Sequence, residues 1–230
     1  MWHNYRLLNR ISFFLVLTSI CYFLFSVFSM ALNSSIFDIS TIRVSGQSQH
    51  ISNKELISIV RGGFRGTFLN LDLADARSRV ETLAWVENAD LKRVWPNMID
   101  IFVTERKPLA NWSGGGLVDE SGIIFDGEYD KSLAILDGPE GTIQMIASVY
   151  SRIAPLVQNL GERVIRLEFS DRRSWSVQLS GGTLIQLGRE EPEARFHSFL
   201  QDLPFILEQV GSDISSVDLR YSDGYAVRKK

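Results

Sequence analysis

The sequence predicts an α+β protein hung on a single N-terminal transmembrane helix, and three observations carry that prediction. From Ile11 to Leu32, ISFFLVLTSICYFLFSVFSMAL holds no charged residue. Between Phe37 and Lys107 the signals run strand, helix, helix, strand, strand. From Pro108 to Lys230 they describe a β-rich domain, an open antiparallel sheet with flanking helices.

The apolar run comes first because it sets the compartment. At ~1.5 Å per residue it spans roughly 33 Å, about one hydrocarbon core. A cleaved signal peptide is the competing interpretation, and Ser29 and Ala31 imitate its small-x-small site, but its apolar region is normally only ~7 to 15 residues. Arg6 and Arg10 precede the span and no Lys or Arg follows until Arg43, which places residues 1–10 in the cytoplasm and the rest outside. The only cysteine, Cys21, lies inside the span, so the exported part has no intrachain disulfide and depends on packing.

With 45% hydrophobic and 22% charged residues and a net charge of −3, the chain can fill ordinary cores and has no electrostatic pull toward nucleic acid. Phe37 to Ser45, FDISTIRVS, alternates imperfectly and reads as a first strand ending at Gly46. Ser52 to Glu55 has capping-box spacing and opens a short helix on Leu56, Ile59 and Val60, which Gly62, Gly63 and Gly66 are expected to stop. Asp72 caps a second helix to Leu83. Strands from Val86 and from Met98 flank a turn at Trp95-Pro96-Asn97, and alternation of Ile99, Ile101 and Val103 with Asp100, Phe102 and Thr104 predicts one well-buried face.

In the second region GLVDESGIIF predicts a hairpin turning at Asp119 to Gly122, and LDGPEG a loop. Thr142 to Leu160 has a helical apolar face that Pro155 is expected to kink or split. VIRLEFS and WSVQLSGGTLIQLG supply strands, the latter two arms turning on Ser180-Gly181-Gly182. A last amphipathic helix, interrupted at Pro204, leads into the closing VDLRYSDGYAVR. There Val217, Leu219 and Tyr221 alternate with Asp218, Arg220 and Ser222, and Asp223-Gly224 offers a turn.

A search for catalysis returns no constellation. His3, His50 and His197 sit in separate elements and nominate neither a metal cluster nor a nucleophile pair; His197 reads as a helix-surface residue. Asp119 and Glu120 are expected to be a solvated turn rather than a glycosidase pair, since strand neighbours point to opposite faces. SGGGL and GGFRGTF lack the continuation of phosphate or dinucleotide loops. The reading is therefore no enzyme, no cofactor and no metal, which leaves binding surfaces. The closing strand is either a core hairpin or an exposed edge that a partner strand can extend.

The start MWHN, the spacing from FDISTIRVSG through LAWVENADLKRVWPNMIDIFVTERKPLANW, and the later SWSVQLSGGTLIQLGR and VDLRYSDGYAVR resemble the FtsQ/DivIB cell-division family, in its proteobacterial FtsQ branch, over nearly the whole chain. The resemblance implies a POTRA domain at 37–107 and a β-domain at 108–230. It also implies an essential divisome scaffold in the inner membrane at the septum, recruiting FtsB and its coiled-coil partner FtsL. Matched by motif, Tyr221, Asp223, Gly224, Tyr225, Ala226 and Val227 fall on the strand that binds FtsB, and Arg172 of DRRSW falls on the basic position that pairs with an acidic side chain. The sequence departs from the family at Asp223, where a small hydroxyl residue can occur, and in a short end after Val227. The alternative from another class is a POTRA-bearing transport or assembly factor, which lacks its barrel here; an anchored periplasmic hydrolase is a third, opposed by the missing catalytic set.

Overall fold

A computed structural model describes residues 5–32, 39, 41–46, 49–63, 68, 71–211, 213–221 and 224–230. The chain divides into two compact units, Met1–Glu105 and Arg106–Lys230. The first opens with α1 (Tyr5–Leu32), whose Asn9–Met30 stretch is long and apolar enough to cross a membrane and, among the described residues, is buried against none. A helix that is apolar on every side needs a nonaqueous surrounding.

The β-α-α-β-β module then follows in the expected order: β1 (Thr41–Ser45), α2 (Asn53–Gly63), α3 (Leu73–Val80), β2 (Val86–Val94) and β3 (Met98–Glu105). Its sheet is ordered β1-β3-β2, with β1 parallel to β3 from Thr41↔Met98 and β2 antiparallel to it. The predicted inward face of β3, Ile99, Ile101 and Val103, packs against Leu56 and Val60 of α2 and Ala76 and Val80 of α3. Asp72 caps α3 as expected, its Oδ1 accepting from the Ala74 N–H at 2.9 Å and the Asp75 N–H at 3.2 Å.

Some boundaries move. The helix α2 continues through Gly62 and Gly63, and Gly66 lies outside the described residues, as do Phe37, Asp38 and Ser40 of the expected first strand. The helix α3 ends at Val80 rather than Leu83, because the next residues turn: Thr82 N–H donates to the Arg79 carbonyl and Leu83 N–H to that of Val80.

The second unit is one nine-stranded open sheet and two helices. In chain order these are β4 (Pro108–Trp112), β5 (Leu117–Asp119), β6 (Ile124–Phe125), β7 (Ile135–Asp137), α4 (Ile143–Gln158), β8 (Val164–Phe169), β9 (Trp175–Leu179), β10 (Leu184–Gly188), α5 (Pro192–Val210), β11 (Ile214–Asp218) and β12 (Ala226–Lys229). Their spatial order is β12-β11-β10-β9-β8-β7-β4-β5-β6. The sheet is mixed rather than antiparallel throughout, since β4/β7, β7/β8 and β10/β11 are parallel. Two of these joints follow from the helices: α4 carries the chain back between β7 and β8, and α5 between β10 and β11, the crossovers that parallel pairing requires. The strand β7 takes Leu136 and Asp137 from the expected loop LDGPEG.

Both helices run unbroken through their prolines, Pro155 and Pro204. Apolar residues on each side of each proline reach the same core, Val149 and Val157 in α4 and Phe199 and Ile206 in α5, and that burial outweighs one lost helical hydrogen bond.

The largest local correction is at Asp119. It is not a solvated turn residue but 5% exposed. Its Oδ2 lies 2.6 Å from the Arg106 Nη1, and its Oδ1 accepts the N–H groups of Ser121 and Ile123 at 2.9 Å each. The carboxylate builds the β5–β6 turn inward because three donors replace its water. Asp119→Ala should therefore cost about 3–5 kcal/mol, the scale for breaking one side of a buried pair, read as a lower denaturant midpoint for the second unit. Glu120→Ala, at the exposed neighbour, should leave the midpoint within about 0.5 kcal/mol.

Candidate partner-binding edge

The last strand, β12, is the end of the sheet and, among the described residues, pairs only with β11, Val217↔Val227 and Asp218↔Ala226 being opposite. Ala226, Arg228 and Lys229 are exposed and Val227 half-buried. A bulge lies between Ile214 and Ser216. There the Ser215 hydroxyl donates to the carbonyls of Arg228 and Lys229 at 3.0 Å each. Lys230 is held at both ends, its N–H on the Asp213 carbonyl and its Nζ on that of Gly181, each at 3.0 Å. The inner side of β12 is thus tied down, and its outer side has no strand partner among the described residues.

The chain reaches β12 by a route the sequence did not show. The first arm of the closing stretch is β11, beginning at Ile214 and ending at Asp218, so Leu219 and Tyr221 lie beyond it. Leu219 keeps the expected inward place, buried, with its N–H on the Gln186 carbonyl at 2.8 Å. Tyr221 does not: it is 61% exposed. The break has a local cause, because the Asp218 Oδ1 accepts the Arg220 N–H at 3.0 Å, two residues on, and turns the backbone out of the ladder. Arg220 also grips both Asp218 oxygens, Nε at 2.8 and 2.9 Å and Nη2 at 2.5 Å. The same contact holds the Asp218 carboxyl below the usual carboxylate range.

Of the residues expected on the binding strand, Ala226 and Val227 are in β12, Gly224 and Tyr225 lead into it, Tyr221 precedes it, and Asp223 lies outside the described residues. Tyr225 is pinned to α5: its hydroxyl donates to the Asp202 Oδ2 at 2.7 Å, and its ring stands edge-on to Phe199, 5.8 Å between centroids. Between α5 and this return segment runs a groove of about 750 Å³ lined by Asp202, Phe205, Ile206, Tyr221 and Tyr225 among others.

Arg172 is exposed on the β8–β9 turn. It lines a second cleft, of about 460 Å³, with Arg189, Glu190, Arg195 and Arg220. Arg195 lines both spaces, so the predicted basic residue and the predicted strand belong to adjoining sites. From α5 the Arg195 Nη1 donates to the Leu219 carbonyl at 3.2 Å and the Leu187 carbonyl at 3.5 Å, joining the ends of β10 and β11. Gly188 permits this, at φ 86°, since a Cβ there would stand 2.9 Å from the Arg195 Nη1 and 3.3 Å from the Arg220 Cγ. The sequence reading missed Arg189, Arg195 and Arg220. Arg220 stood in the closing stretch itself, whereas Arg195 becomes visible only once β10 and β11 are known to be parallel neighbours.

His197 is exposed on α5 with its Nε2 3.3 Å from the Gln201 Nε2, and His50 stacks on Trp85 at 3.9 Å. Among the described residues no three His, Cys, Asp or Glu side chains converge on a metal position.

Desolvation and then the Asp202 hydrogen bond push Tyr225 up to about 12. A raised tyrosine keeps its proton where a free one, near 10, loses it, so the stabilisation is complete below about pH 10 and disappears as pH rises through about 12. Difference titration against Tyr225→Phe should isolate one phenol ionising near pH 12, and Asp202→Asn should move that step down toward the ordinary range.

The geometry is that of an open sheet edge beside an aromatic groove and an arginine cleft. A family model for the C-terminal part of the cell division protein FtsQ/DivIB matches residues 110–220, and one for the FtsQ-type POTRA domain matches residues 37–106. The cell division protein FtsQ of Nitrosospira multiformis is 31% identical over 99% of this chain and 99% of its own length. That of Burkholderia pseudomallei is 33% identical over 99% and 94%, and that of Xanthomonas campestris pv. campestris 32% over 84% and 70%. With a relative this similar from end to end, and two adjoining matches that meet where the two units divide, the chain belongs to the FtsQ/DivIB cell-division family.

Proposed function

We propose that the chain is a non-enzymatic scaffold of the divisome that links early and late division proteins by recruiting the FtsB/FtsL pair, and so helps control septal wall assembly. In this reading α1 holds it in the inner membrane at the septum, residues 1–10 are cytoplasmic, and the POTRA domain (37–107) and β-domain (108–230) are periplasmic. The observation that carries the proposal is the uncovered outer side of β12 with the groove and the arginine cleft beside it.

Each element supplies a different part of the recognition. Main-chain hydrogen bonds along β12, at about 0.5–1.5 kcal/mol net each, add a partner strand without reading its sequence. The groove beside Tyr221, Phe205 and Tyr225 takes an apolar side chain of that strand, worth about 1.5–3 kcal/mol on full burial. The cleft containing Arg172 attracts a carboxylate, which sets encounter rate and register more than affinity. Association itself costs several kcal/mol, so no one of the three suffices.

The test is in-cell crosslinking from a photoreactive residue replacing Ala226, which is exposed on the edge. An adduct with a small single-pass coiled-coil protein is expected, lost when Arg172→Glu is added, and Tyr221→Ala should weaken the purified complex at least about tenfold, or 1.4 kcal/mol. If the folded protein gives no adduct, the edge is not the recruitment surface and the proposal fails.

A further inference from the structure

Outside α1, the most exposed of the large apolar side chains among the described residues is Trp95, at 76%. It stands at the tip of the β2–β3 hairpin, where the Trp95–Pro96 peptide is cis. One exposed apolar side chain needs no partner on its own account; what distinguishes Trp95 is where the topology puts it. Because β1 is parallel to β3 with Thr41 opposite Met98, the turn of residues 95–97 shares the end of the sheet at which β1 begins. Thr41 comes nine residues after Leu32, the end of α1. Nine extended residues reach at most about 30 Å, so the end of the module bearing Trp95 is tethered to the end of the membrane helix.

We propose that this hairpin tip lies in the headgroup layer of the membrane, with Trp95 as an interfacial anchor that fixes which end of the β-α-α-β-β module faces the bilayer. The proposal rests on the reading of α1 as a membrane span made above. The occupant is lipid because of the chemistry of the indole: a broad apolar body with one N–H donor is the side chain that headgroup layers retain. Charge is not the attraction. Of the two basic residues that precede the tip, Lys92 pairs with Asp90 at 2.8 Å, and Arg93 turns inward to the carbonyls of Phe68 and Leu71. The contact is therefore indifferent to salt and to the fraction of anionic lipid.

The molecule contains its own ruler. Trp85 precedes β2 at the opposite end of the sheet, where Val86 faces Glu105, about 30 Å along the strand from the tip. Trp2 precedes the span itself. The full chain carrying 5-fluorotryptophan is placed in nanodiscs of zwitterionic lipid, with and without a gadolinium chelate on the headgroups, and its fluorine spectrum recorded; Trp95→Phe assigns the resonance. Trp2 and Trp95 are expected to broaden, Trp95 at least severalfold more than Trp85, equally at low and high salt. Broadening of Trp2 with Trp95 no broader than Trp85 overturns the tip contact and leaves the anchor standing. If Trp2 is not broadened, the membrane reading of α1 falls and takes the tip with it.

Discussion

The parallel pairing of β10 with β11 is the constraint on which the second unit's open edge depends. Parallel neighbours cannot be joined by a tight turn, so the chain must cross over the sheet between them, and α5 is that crossover. Once β11 runs the same way as β10, the chain leaves it at the far end and must return antiparallel to lie beside it. With β10 already occupying the other side of β11, the returning strand β12 becomes the edge. An accessible edge and a groove beneath it thus come from one decision of topology, because the helix that makes the crossover also forms the groove wall against which the return segment lies.

Such an edge is useful only if its approach segment is held in one place, and the contacts there divide that work. Arg195 brings a charged donor to two strand-end carbonyls, a stronger hydrogen bond than a neutral donor gives. Asp218 and Arg220 close on one another within three residues and break the ladder. Tyr225 then fastens the chain to α5 before β12 begins. Tyr221 lies between these fastenings, exposed at the rim of the groove beside α5.

What could be read in the sequence was what local chemistry decides. The cap of α3 needs only Asp72 and the two residues that follow, and the β2–β3 hairpin only its alternation and its turn. Three kinds of feature were hidden. The strand β7 is three residues, too short to show a period, and exists because β4 and β8, distant in sequence, flank it on both sides. Asp119 looked like a turn residue because the donor that draws it inward, Arg106, lies thirteen residues earlier on the far side of β4. Tyr221 fitted the alternation of the closing stretch, yet a single side-chain bond from Asp218 ended the strand before it. Long-range pairing decided each case except the last, which a closer reading of Asp218 two residues before Arg220 could have found.

An uncovered edge is also a hazard, because two copies can pair through it. In this chain β12 carries Arg228 and Lys229 and is followed by Lys230, and basic residues on an edge of this kind discourage edge-to-edge pairing by crowding like charges. Like charges placed opposite one another across strands are destabilising. A partner strand bearing carboxylates meets the opposite condition, since the arginine cleft lies next to the groove. The edge cations that make self-pairing unfavourable and the separate arginine cleft thus act in the same direction. Were both proteins held in one membrane, as the proposed role has it, the effective concentration at which they meet would be raised. Under the proposed role, a short edge of modest affinity is sufficient, and a longer or more apolar one would lose the discrimination that the charges provide.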